Sequence, residues 1–174
     1  GGNYGDSDTQ FRAGGLASSA TVDVWAQMTR SFTLFDTSSL PNADTIDSAT
    51  LEVVATGRVE TIASQSLSVV TTTPASNTAI VGADYTQTGT VKQAADRTLA
   101  GFTVDSSTYN AFTLNATGLT NISQTGITRF GMPLTSDVDN AEPTWGSLLD
   151  GYIDVASAEE VLAALSAQAP EQVR

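Results

Sequence analysis

Residues 30–54 read RSFTLFDTSSLPNADTIDSATLEVV. The stretch holds two strand-like runs, Ser31–Phe35 and Ala49–Val54, joined by turn-forming residues. In the first, Phe32 and Leu34 alternate with Thr33 and Phe35. In the second, Leu51 and Val53 alternate with Thr50, Glu52 and Val54. A period of two is the pattern of a strand with one or both faces buried in a sheet. Between the runs, Asp36, Ser38 and Ser39 can hydrogen-bond the local backbone, and Leu40-Pro41-Asn42 sets a turn. The segment places the chain among β proteins.

The rest of the sequence agrees. Ser and Thr make up about a quarter of the residues, and they suit solvent-facing strand positions better than helix interiors. Further strands are predicted near Thr9–Ala13, Thr21–Gln27, Ser66–Thr72, Thr88–Val91, Thr98–Phe102, Asn110–Leu114, Thr128–Pro133 and Tyr152–Val155. Turn signals such as Gly14-Gly15, Thr73-Pro74, Ser106-Ser107 and Thr125-Gly126 fall between them. Helical turns are expected within Asn77–Tyr85 and Thr117–Ile122, the second placing Leu119 and Ile122 on one face. The one convincing helix lies in Ser157–Arg174, SAEEVLAALSAQAPEQVR. Ser157 and Glu160 make a capping box, Val161, Leu162 and Leu165 an apolar stripe, and Pro170 a stop.

Composition excludes several functions. The 174 residues carry a formal net charge of −12, with Lys92 the single lysine. Such a surface repels nucleic acid and anionic lipid, because phosphate contacts need clustered Lys and Arg. No apolar run approaches the roughly 20 residues that span a bilayer, so membrane insertion is not expected. The absence of Cys and His removes thiol nucleophiles, zinc–thiolate sites and the commonest general base. Catalytic triads fail for the same reason, and nothing supports a Ser–Lys pair around Lys92. The N-terminus, GGNYGDSD, has neither the charged nor the apolar region of a signal peptide. The sequons Asn115-Ala-Thr117 and Asn121-Ile-Ser123 arise readily by chance in a Ser/Thr-rich chain.

The motif RSFTLFDTSSLP…IDSATL resembles the core of the DNRLRE-type domain, which reads roughly R-x-hydrophobic-x-x-FD-x-SSLP…I-x-SA-x-L. PASNTAIVGADY, TYNAFTLNATGLTNISQTGITRFG and a D…N…P-x-W loop ending at Trp145 extend the resemblance over most of residues 1–155. It implies a carbohydrate-binding-module-like fold found in secreted bacterial proteins and in phage virion and tail-fibre proteins. The expected fold is therefore all-β: a jelly-roll-type antiparallel β-sandwich over residues 1–155, with a short C-terminal amphipathic helix in a tail or linker over 156–174. Two departures stand out. The family usually has a further strand before its NYG segment, and it ends on a strand of P-x-L-x-V-x-Y type, where this chain has its helical tail. A missing edge strand leaves backbone groups to be capped.

Candidate chemistry is sparse. Asp137, Asp139 and Glu142 share one loop, and their carboxylates could hold Ca2+, although SDVDN is only a fragment of a calcium-loop pattern and no cofactor at all is the plainer expectation. A glycosidase needs two carboxylates set about 5–10 Å apart, but no second acid declares itself. No catalytic residue is assigned. Trp25, Trp145 and Asn140 are the candidates for a glycan, since exposed aromatic faces suit sugar rings. Trp25 is expected to face with Asp23, opposite Val22 and Val24, either outward and available or covering a second buried layer. Val161, Leu162 and Leu165 of the tail are candidates for assembly by helix or strand exchange. The functional expectation is a non-catalytic structural module of an extracellular, cell-surface or virion assembly, such as a fibre, filament or surface layer, with a possible adhesive role. Its partners would be further copies or neighbouring subunits. The alternative is a cell-surface glycan-binding module, stabilised by calcium.

Overall fold

The computed structural model describes residues 10–41 and 45–156. The tail helix expected over 157–174, with Val161, Leu162 and Leu165, lies outside the described residues. What is described is mostly strand in antiparallel sheets, with few helices. In chain order the strands are β1 (Gln10–Ser18), β2 (Trp25–Thr29), β3 (Phe32–Asp36), β4 (Thr50–Val53), β5 (Ala55–Glu60), β6 (Ser66–Leu67), β7 (Val70–Thr72), β8 (Thr88–Lys92), β9 (Arg97–Thr98), β10 (Asn110–Thr113), β11 (Ile127–Gly131) and β12 (Asp150–Ala156). Two short helices, α1 (Ala116–Thr120) and α2 (Thr135–Val138), interrupt them.

One four-stranded sheet has the order β2-β1-β12-β5, another the order β3-β11-β7-β8, and β10-β4 and β6-β9 form two-stranded pairs. The alternation in the sequence sets which side of each strand is buried. In β4, Leu51 and Val53 are buried while Thr50 and Glu52 face water. In β12, Gly151, Ile153 and Val155 are buried, and Asp150, Tyr152 and Asp154 lie on the outer face. Both four-stranded sheets contribute to a single core, Ala13, Leu16, Ile153 and Val155 from the first and Phe130 from the second, with Val69, Met132 and Leu134 beside them. Leu119 of α1 and Ile122 just beyond its end both pack against that core. Asn115 caps α1 by accepting from the Gly118 N–H at 2.9 Å.

Local signals misplaced several boundaries. Gly14-Gly15 reads as a turn, yet β1 runs through it as a bulge between Ala13 and Gly15. Gly14 has φ +58°, and a Cβ there would lie 2.6 Å from Leu67 Cδ1 and 3.0 Å from the Leu134 nitrogen. The glycine is thus required by packing and backbone conformation within a strand. The run Ala49–Val54 forms β4, and the chain continues after Val54 as β5, whose Gly57 lies opposite Asp154. Thr98–Phe102 is not a strand throughout: after Thr98 the chain makes a 3₁₀ turn, Leu99–Gly101, capped by the Thr98 hydroxyl. No strand covers Thr21–Val24. Ser19 and Val24 close a tight turn with Asp23 at φ 58°, and Val22 and Val24 are both exposed.

Candidate functional site

The loop after Leu134 opens with α2, and two ion pairs flank it. Asp137 Oδ2 and Oδ1 receive Arg30 Nε at 2.6 Å and Nη2 at 2.7 Å. Arg30 Nη1 also donates to the Tyr85 carbonyl at 2.7 Å, and the guanidinium lies 4.4 Å from the Tyr85 ring centroid. One arginine therefore ties three parts of the chain together: the β2–β3 corner, the segment between β7 and β8, and α2. Asp139 pairs with Lys92 Nζ at 2.9 Å, and the same ammonium reaches Asp96 at 2.8 Å. Ser68 bridges Asp96 and Thr135, and Ser136 donates to Gln65.

These contacts hold the cations charged. The hydrogen bond to Asp137 raises the Arg30 pKa above its ordinary value, against the opposing effect of burial. The bond to Asp96 does the same, foremost, for Lys92, with Asp139 adding to it. Burial pushes the Tyr85 phenol up.

The expected metal ligands are accordingly not brought together. Asp137 faces Arg30, Asp139 faces Lys92, and Glu142 is exposed. Among the described residues, no three acidic side chains gather as a metal site would require. The glycan candidates fare differently. Asn140 is exposed at φ 48°. Trp25 begins β2 opposite Ser18 and packs partly buried against the core, the second of the two placements its sequence allows. Trp145 is half-buried, with its Nε1 shielded from water and without a hydrogen-bond partner among the described residues. The Ser18 hydroxyl donates to the carbonyl of Gly146, so the backbone beside Trp145 is tied to the cross-strand neighbour of Trp25. No ring contact links the two tryptophans among the described residues. The sequon side chains also have structural work: Asn115 Nδ2 donates to the Lys92 carbonyl and Asn121 Nδ2 to Gln93 Oε1.

Two surface features were not singled out in the sequence. At one end of the first sheet, the Leu148 N–H bonds the Ser19 carbonyl at 3.3 Å, joining the β1–β2 turn to the loop before β12. Leu148, Val22 and Val24 are 73%, 64% and 45% exposed there, and Leu148 has φ 57°. A left-handed backbone at a bulky apolar residue is strained. The second feature is a shallow depression on the outer face of the same sheet, lined by Arg12, Gln27, Thr29, Asp150 and Tyr152 over Gly15 and Ala17. Arg12 lies 3.5 Å from the Tyr152 ring centroid and 3.3 Å from Asp154. No helix among the described residues is long and apolar enough to cross a membrane. No protein-family model, no curated protein and no solved structure matches this chain.

Proposed function

We propose that this chain is a non-catalytic structural module of an extracellular or virion assembly, docking on neighbouring subunits through the apolar apex formed by Val22, Val24 and Leu148. The apex carries the reading. Its loops are hydrogen-bonded to each other, so the three side chains are presented on a fixed frame rather than on independent loops. An exposed apolar group held on a strained backbone is a feature of interaction surfaces. Beside it, β2 is an edge strand of sequence WAQMT, without the charge or proline that protects sheet edges, and Met28 is 41% exposed. The non-catalytic part of the reading rests on the absence of His and Cys and on the engagement of Asp137 and Asp139 by cations. In this reading the two four-stranded sheets are the halves of a jelly-roll-type sandwich, and the apex is one end of it.

The test is particle mass by light scattering with negative-stain imaging of the same sample. Assembly into ordered oligomers, lost in a Val22→Asp, Leu148→Asp variant whose circular dichroism is unchanged, is the expected result. A wild-type chain that stays at its monomer mass of 18.0 kDa at high concentration would remove the proposal.

A further inference from the structure

We infer that β3, an edge of the β3-β11-β7-β8 sheet, pairs with the β3 of a second copy of this chain, antiparallel about a twofold axis at Leu34. The contact is separate from the apex and does not rest on the reading above. The register of β3 on β11 shows which backbone groups are spare. The Met132 N–H bonds the Ser31 carbonyl at 3.0 Å, and the Thr37 N–H bonds the Gly126 carbonyl at 3.1 Å. The pairing between these two bonds has no bulge, so Thr33 and Phe35 also turn their backbone groups towards β11. Phe32, Leu34 and Asp36 therefore turn theirs away from the sheet. No other group among the described residues bonds those amides and carbonyls.

The other edges of the two four-stranded sheets are covered or interrupted. Beside β5, the Asp105 N–H bonds the Ala55 carbonyl, Val104 bridges Ala55, and Arg58 donates to the carbonyls of Leu99, Ala100 and Phe102. β8 contains Gly89 and Lys92, and its Lys92 and Val91 carbonyls accept from the side chains of Asn115 and Gln93. β2 is interrupted by a bulge opposite Ala17 and Ser18. Bulges, lysines and covering segments are the means by which sheet edges avoid pairing with other chains. β3 has none of them. FTLFD is regular over its 5 residues, Asp36 is its one charge, and Phe35 is 41% exposed.

A second copy is the occupant that this edge fits. The spare residues are symmetric about Leu34, so an antiparallel twofold sets Leu34 against its own counterpart and Phe32 against Asp36. Every spare N–H then meets a spare carbonyl. Thr33 and Phe35 fall opposite each other in the close, non-hydrogen-bonded pairs, a β-branched residue against an aromatic ring, which is a favourable cross-strand combination. Charge permits the contact as well. Residues 31–35 carry none, and Asp36 faces Phe32 and not the second Asp36. The two aspartates stand about 14 Å apart along the strands, beyond the screening length of about 8–10 Å. The formal −12 of each chain therefore does not oppose the pairing at its centre. A foreign peptide would meet the backbone groups alone, without this match of side chains. Two strands of 5 residues bury less than the roughly 1,200 Å² of a standard interface, so the pair is reversible, with a Kd on the order of 100 µM.

The test uses the full 15N-labelled chain from about 20 µM to about 1 mM, with hydrogen exchange read at single amides and mass read by light scattering. The amides of Phe32, Leu34 and Asp36 should exchange slowly at high concentration and fast on dilution. Those of Thr33 and Phe35, bonded within the chain, should stay slow throughout. In the Val22→Asp, Leu148→Asp variant, which disables the apex, the same protection should persist and the mass should rise towards twice 18.0 kDa. Phe35→Lys, at an exposed position, should raise the Kd by about tenfold or more, as lysines on sheet edges do. Leu34→Pro, which removes an N–H that faces away from the sheet, should weaken the pair as well; a native-like spectrum verifies folding in each case. The inference fails if the chain is monomeric at about 1 mM with the three amides fast, or if it associates and they stay fast. It fails too if their protection ignores dilution, since a segment of the same chain then covers the edge, or if folded Phe35→Lys and Leu34→Pro proteins pair like wild type.

Discussion

Removing the Asp137 carboxylate is the sharpest test of how this fold is held. Asp137→Ala takes away both acceptors of Arg30, at 2.6 and 2.7 Å, at a pair whose side chains are only 20% and 13% exposed. An exposed ion pair contributes about 0–1 kcal/mol, whereas removing one partner of a buried pair costs about 3–5 kcal/mol. The pair lies between these limits, and its bidentate geometry places it in the upper half of the interval. We therefore expect a loss of about 2–3 kcal/mol from Asp137→Ala. Arg30→Ala should cost somewhat more, because the bond to the Tyr85 carbonyl and the ring contact at 4.4 Å go with it.

The assay is equilibrium unfolding in urea. With a slope of about 2 kcal/mol/M, the midpoint for Asp137→Ala should fall by about 1–1.5 M. The double variant should be less destabilised than the sum of the single ones, by a coupling of about 1.5–2 kcal/mol. Raising the salt to 0.5 M, about, should leave most of that coupling, since a pair this well covered is weakly screened. A loss below about 0.5 kcal/mol from Asp137→Ala, the size of an ordinary surface change, would refute the assignment of Arg30 as the tie between the three segments.

Three further outcomes follow from particular groups. Gly14→Ala forces a Cβ to 2.6 Å from Leu67 at φ +58° and should lower stability by about 3 kcal/mol, or about 6–12 °C in Tm by calorimetry; a change within about 1 °C would show that β1 relaxes freely there. Asp105 accepts from the hydroxyl of Thr108 and from the amides of Ser107 and Thr108, which hold its carboxyl at about 2 against an ordinary 3.8. Because the folded value is the lower one, its support of the 105–108 turn is complete above the ordinary value and disappears as pH falls through about 2. A carboxyl carbon titration by NMR with its midpoint near 4 would contradict this. Finally, with Asp137 and Asp139 engaged by different cations, calcium should leave Tm unchanged. A bound ion at a hundredfold excess over its Kd would raise Tm by about 5–10 °C, and such a rise, abolished by Asp139→Asn, would show that the loop rearranges to hold it.

The sequence discloses strands well where burial is one-sided. TLEV in β4 and DGYIDVA in β12 alternate as written, and both bury the residues that the alternation selects. It discloses them poorly where the reason for a residue lies on another element. Gly14 looks like punctuation, yet it accommodates Leu67 and Leu134 against a strand. Trp25 looks continuous with Val22 and Val24 until Asp23 reverses the backbone. The same limit governs the candidate sites. Asp137 and Asp139 invite reading as one ligand set because they are neighbours in sequence. The helical turn sends one to an arginine 107 residues away and the other to a lysine 47 residues away. Gln27, Ala17 and Asp150 share nothing local, and only the register of three strands puts them in one row; a slip of one residue would turn the row to the other face. In a chain with 19 acidic and 7 basic side chains, the scarce charge is the informative one. An acid's position says little, because most acids face water whatever they do. Where each cation ends up shows which segments the fold ties together: Arg30 and Lys92 reach the acids at α2, and Arg58 and Arg97 hold the carbonyls of the Leu99–Gly101 turn.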